Sequence, residues 1–188
     1  GGKDTWENLV NAARNAIGGA GADNTSALAF GGSGSITNTE NWNGSAWTEV
    51  NNLNTGRSSL GGVGIATSAL AFGGSPVTAT TEIWNGTNWT EVNDLNTARR
   101  QLAGSGSSST SALAFAGETP GAAVVAITEE WNGTSWTEVA DLSTARNFLA
   151  GIGTASAGLA FGGLTPSITT ATEEWSNQSF TTRTIDTD

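Results

Sequence analysis

The string Ser-Ala-Leu-Ala-Phe-Gly-Gly runs from Ser26 to Gly32 and again from Ser68 to Gly74, then returns with one change at Ser111 to Gly117 and with two at Ala157 to Gly163. Each copy is followed by a tryptophan, at Trp42, Trp84, Trp131 and Trp175, so the period is 42, then 47, then 44 residues. A second aromatic stands five positions further on, at Trp47, Trp89, Trp136 and Phe180. Three copies then continue through Thr-Glu-Val to a leucine and an arginine, as in Trp136 to Val139, Leu142 and Arg146. Self-similarity at a period of about 20–50 residues is the mark of stacked supersecondary units, and it constrains the fold more tightly than local propensity. The N-terminal stretch Trp6 to Arg14 reads as a shortened copy of the last piece of a unit.

Within one period the pattern resolves into four short strands, A to D, with no helical periodicity. In the third unit they are expected near Gln101 to Gly106, at Ser111 to Gly117, around Ala126 to Trp131 and at Ser135 to Leu142. The pairs Asn43-Gly44, Asn85-Gly86 and Asn132-Gly133 lie between strands C and D. Asn-Gly supplies the two positive φ angles of a tight type I′ hairpin, and with those two residues as the loop Trp131 and Trp136 sit diagonally on one face. Strand B alternates small and large, so Ala27 and Ala29 point one way and Leu28 and Phe30 the other. Strand A carries many glycines, such as Gly61, Gly62 and Gly64, which suits strands crowded round a central axis.

An apolar strand ending in Gly-Gly, a following aromatic, a second tryptophan after a short turn, then a leucine and an arginine resembles the kelch repeat. The resemblance covers nearly the whole chain, with units at about 15–53, 58–95, 100–142 and 147–185, and residues 1–14 as a partial extra strand or short helix. It implies an all-β fold, a single β-propeller domain of four four-stranded blades. The first aromatic is Trp where the family usually has Tyr, and the units are shorter than the typical kelch period of about 50. The Gly-His and Trp-Asp pairs of WD40 repeats are absent. The units also resemble kelch-like arrays in bacteriophage tail and fibre proteins and in extracellular proteins, which implies an extracellular or virion-associated setting. One four-stranded sheet cannot bury both faces, so units must stack. Closure of four units into the smallest ring is the expectation; two chains forming one eight-bladed ring, or a window on a longer array, are the alternatives.

Composition bears on function by exclusion. The chain has no Cys, His or Tyr, so disulfides, imidazole catalysis, most transition-metal sites and the copper chemistry of kelch oxidases are not expected. A formal charge of -10 argues against nucleic acid and anionic membrane surfaces as partners. The longest strongly apolar stretch, Gly121 to Ile127, is too short to cross a bilayer, and the N-terminus lacks the regions of a signal peptide. The expectation is a soluble protein with no cofactor and no metal.

Two sets of residues are candidates for binding. Arg14, Arg57, Arg99 and Arg146 stand one before each strand A, where four guanidinium groups grouped at one mouth of the axis would hold an anion. A position repeated in every unit more often serves the unit, and the competing expectation is that each arginine bonds carbonyls or a carboxylate of an adjacent blade. The tryptophans fall under the same argument and are expected in the core. The B-to-C connections break the repeat, and variable loops on a fixed scaffold carry recognition. The longest and most apolar is Glu118 to Val125, with Glu118, Thr119, Pro120, Val124 and Val125 as contact residues. Glu129-Glu130 and Glu173-Glu174 raise the alternative of a carbohydrate-active enzyme with carboxylates at the mouth, although neighbours on a strand point to opposite faces. The leading expectation is a non-enzymatic structural or binding module that contacts protein subunits, including copies of itself, or a surface glycan.

Overall fold

Strand B sets how the sheets stack, because its alternation of alanine with leucine or phenylalanine gives every sheet one thin face and one bulky face. The computed structural model of the chain describes residues 10, 11 and 13–176. Blade 1 holds β1 (Gly18–Asp23), β2 (Ser26–Phe30), β3 (Thr39–Trp42) and β4 (Trp47–Val50). Blade 2 holds β5 (Gly61–Ile65), β6 (Ser68–Phe72), β7 (Thr81–Trp84) and β8 (Trp89–Val92). Blade 3 holds β9 (Ala103–Ser108), β10 (Ser111–Phe115), β11 (Thr128–Trp131) and β12 (Trp136–Glu138). Blade 4 holds β13 (Ala150–Gly153), β14 (Ala157–Phe161) and β17 (Thr172–Ser176), with a small hairpin of β15 (Leu164–Thr165) and β16 (Ser167–Ile168) in its B-to-C connection. Strands within each blade pair antiparallel in chain order, and the four sheets form an all-β, four-bladed propeller. No helix among the described residues is long and apolar enough to cross a membrane. The outer strand expected at Phe180 to Ile185, and the N-terminal strand or helix before Val10, lie outside the described residues.

The C-to-D turn differs from the expectation by one residue. Asn43 N–H donates to Ala46 C=O, only Gly44 of the turn has positive φ, at 89°, and the two-residue loop is therefore Gly44-Ser45, as in a type II′ turn. The cause is the asparagine side chain: Asn43 Oδ1 accepts the N–H groups of Ser45 and Ala46, which holds Asn43 before the turn. Asn85 and Asn132 repeat the arrangement. The shift makes Trp131 and Trp136 direct cross-strand partners, with ring centroids 5.4 Å apart, where a diagonal pair was expected. Past the end of strand D a side chain takes over from the ladder: Oδ1 of Asn52, Asp94 and Asp141 accepts the N–H of Thr39, Thr81 and Thr128 at the start of strand C.

Three seams hold the blades together. The bulky face of blade 1, with Leu28 and Phe30, packs on Ala69, Ala71, Trp84 and Trp89 of blade 2. Leu70 and Phe72 of blade 2 pack on Ala112, Ala114, Trp131 and Trp136 of blade 3. Leu113 and Phe115 pack on Ala155, Ala160 and Trp175 of blade 4. Phe30 meets Trp89 edge-on at 4.9 Å and Phe72 meets Trp136 at 5.2 Å. Burying one such phenylalanine contributes about 1.5–3 kcal/mol. The indole N–H of Trp89 also donates across its seam to Thr39 Oγ1, and that of Trp136 to Thr81 Oγ1. Inner strands β1, β5, β9 and β13 lie side by side in that order. No packing of this kind and no hydrogen bond joins blade 4 to blade 1 among the described residues.

Candidate functional site

The four arginines are buried, each with its charge met by a carboxylate. Arg57 meets Glu82 at 2.9 Å, Arg99 meets Glu129 at 2.9 Å and Arg146 meets Glu173 at 2.8 Å. Arg14 pairs with Glu40 in the same way. The asparagine three residues earlier completes the contact: Asn54 and Asn96 give both their backbone N–H and their Nδ2–H to the same carboxylate, and Nδ2 also reaches the carbonyl of Trp89 or Trp136. Asn11 grips Glu40 and Trp47 likewise, so the segment before β1 takes the place of a loop leaving a preceding blade. Each clasp ties the exit of one blade to strand C of the next. Burial pushes the Arg57 and Arg99 guanidinium groups below the ordinary arginine value, and Glu82 and Glu129 oppose that shift. Nε of all four arginines is buried without a hydrogen-bond partner. The glutamate pairs divide as the strand period dictates: Glu129 is buried in its clasp, whereas Glu130, on the other face, is partly exposed.

The antiparallel order puts the start of strand A, the B-to-C connection and the D-to-A connection on one side of every blade. On that side lies a feature that none of the candidate residues named. Ala16, Ser59, Gln101 and Phe148 all have φ between 50° and 55°. A left-handed conformation costs a non-glycine residue roughly 1–2 kcal/mol, and here it is compensated by a bonded row. Ser59 N–H donates to Ala16 C=O at 2.7 Å, Gln101 N–H to Ser59 C=O at 2.8 Å and Phe148 N–H to Gln101 C=O at 3.0 Å. These four, with Ile17, Leu60, Leu102 and Leu149 after them, line an axial mouth of about 480 Å³. Among the described residues no acidic side chain lines it. Each left-handed residue stands two positions past the arginine of its unit, and that fixed offset is the only signal the sequence holds for it.

The Glu118 to Val125 loop rises beside this mouth. Glu118 is anchored at its base, accepting from Arg100 and from Asn147 Nδ2, and Asn147 Nδ2 also reaches Gln101 Oε1 at the mouth. Thr119 N–H closes on Ala123 C=O, and Val125 N–H on Gly117 C=O. The loop thereby presents Pro120 and Val124 outward, with Thr119 and Val125 half-buried at its flanks. The structure thus joins the loop set to the mouth and separates both from the arginines, which lie inside the clasps. Among the described residues no group of three or more Asp or Glu side chains is placed to hold a metal ion. No protein-family model matches the chain, and no curated protein matches it.

Proposed function

We propose that the chain is a non-enzymatic structural or binding module built of kelch-like units, serving an extracellular or virion assembly and contacting protein through the face that bears the axial mouth and the B-to-C loops. The observation that carries this reading is the placement of exposed apolar side chains: Ile17, Val124, Phe148 and Ile168 all belong to that face. Exposed apolar groups rimmed by polar ones suit a protein surface better than a sugar. The carboxylates of Glu40, Glu82 and Glu129 are buried against arginine or asparagine partners, and no acidic side chain among the described residues lines the mouth. The high negative charge favours a basic or neutral partner.

A photoreactive side chain placed at position 148 or 124, and in a control at Ser45 in the opposite C-to-D turns, tests the reading in the assembled particle. Adducts to another protein from 148 and 124 but not from 45 support it. Equal labelling from both faces, retention on glycan arrays that Phe148→Ser abolishes, or turnover of arrayed glycosides overturns it.

A further inference from the structure

Blade 4 ends the array with a bulky face that nothing in the described chain covers, and blade 1 begins it with a thin face in the same condition. Leu159 and Phe161 hold in β14 the places that Leu28 and Phe30, Leu70 and Phe72, and Leu113 and Phe115 hold in β2, β6 and β10. Those six are at most 3% exposed, whereas Leu159 and Phe161 are each 40% exposed and Ile152 of β13 is 62% exposed. On blade 1, Trp42 and Trp47 lie 5.6 Å apart, close to the 5.4 Å of the two buried tryptophan pairs, yet both remain half-exposed. The acceptor surface is therefore already formed. A Cβ on Gly104 or Gly151 would come within 2.6 Å of the phenylalanine of the preceding blade; on Gly19, the matching residue of β1, the nearest atom is its own blade's Leu28 O at 3.6 Å.

The polar groups left over at the two ends correspond one to one. Gly32, Gly74 and Gly117 donate their N–H groups to the carbonyls of Arg57, Arg99 and Arg146 in the following blade. Gly163 N–H has no such acceptor and Arg14 C=O no such donor among the described residues. In the left-handed row, Phe148 C=O and Ala16 N–H are the ends that no described residue meets. Trp47 Nε1, unlike Trp89 and Trp136, has no threonine across a seam, and Thr172 at the start of β17 holds the place of Thr39 and Thr81. Among the described residues these unmade contacts of one end find their counterparts at the other end of the same chain, the match that a second copy docked head to tail supplies.

We infer that two copies dock head to tail, the Leu159 and Phe161 face of one on the Gly19, Trp42 and Trp47 face of the next. Such an interface is heterologous, so it closes into a ring or runs on according to its rotation. Two copies joined at both ends make an eight-bladed ring, the upper end of the roughly four to eight blades that propellers use.

Light scattering on the purified chain over a wide concentration range tests this. Wild type is expected at twice the 19.0 kDa of one chain, or at higher whole multiples. Leu159→Asp and Gly19→Glu each remove one half of the contact at a position that is open in the single chain, so each alone is expected at 19.0 kDa with unchanged near-ultraviolet circular dichroism. Mixing them restores a complex of two chains, because the intact bulky face of one meets the intact thin face of the other. The milder Thr172→Val should raise the dissociation midpoint roughly three- to tenfold. A wild type that stays at the mass of one chain at every concentration means the faces are covered within the chain and overturns the inference. A mixture that fails to associate does so too, since it marks a symmetric contact elsewhere.

Discussion

A guanidinium group placed inside a propeller must find its counter-charge there, and the geometry of Arg99 shows how completely that is arranged. Its Nη1 donates to the carbonyls of Ala116 and Ile127, its Nη2 to Glu129, and Asn96 holds the other carboxylate oxygen. Removing one partner strands the other: Arg99→Met leaves Glu129 buried without its cation and is expected to destabilise the fold by about 3–5 kcal/mol in urea unfolding followed by tryptophan fluorescence. Arg99→Met combined with Glu129→Leu removes both charges and should recover part of that loss. A double variant no more stable than Arg99→Met would mean that the pair acts by attraction rather than by sparing a buried charge. The same numbers explain why an anion has no entry at the arginines: Arg57, Arg99 and Arg146 have no exposed surface.

At the scale of the element, the inner strands are set by close approach. Gly104 lies against Phe72 of the preceding blade and Leu113 of its own, where a methyl group would come within 2.6–2.7 Å of Phe72 Cζ and Leu113 O. Gly104→Ala is expected to cost about 1–3 kcal/mol through overpacking, whereas Gly19→Ala, which meets no phenylalanine within its own chain, should be neutral or slightly stabilising when both variants are made in chains held single by Leu159→Asp. Thermal unfolding of the two variants side by side checks this, and equal losses would show that the glycines serve backbone conformation rather than spacing. Strand B was readable from sequence because its alternation is local and each side chain's direction follows from the pleat. The turn was misread by one residue because Asn43, Asn85 and Asn132 act through their side chains, and Asn-Gly serves more than one turn type. The β15–β16 hairpin had no signal, since two residues a side cannot show a period. The left-handed row escaped for a related reason: Ala16, Ser59, Gln101 and Phe148 are four different residue types, none a glycine, and what they share is a hydrogen bond to the neighbouring blade rather than a propensity.

For the whole molecule the controlling fact is that seams, and not sheets, are the cooperative contacts, as in other stacked repeats. Hydrogen exchange should therefore be slowest in β6 and β10, whose blades have a neighbour on both faces, and fastest in β13 and β14, whose outer face is uncovered. Protection of β1 and β13 should rise together with concentration; protection uniform across all four blades at high dilution would show the end faces to be covered within one chain. Whether the array closes was not legible in the sequence, because Leu159 and Phe161 are the same residues in the same pattern as Leu113 and Phe115. Their exposure depends on a neighbour that no local pattern encodes.

The clasp also decides what recombination can do to such a chain. Asn96 and Arg99 leave one unit and grip Glu129 in the next, so cutting at the same point of two units and rejoining leaves every junction with its partner. Arrays can therefore lengthen or shorten by whole units without orphaning a buried charge, and each unit added leaves the chemistry of the two end faces unchanged.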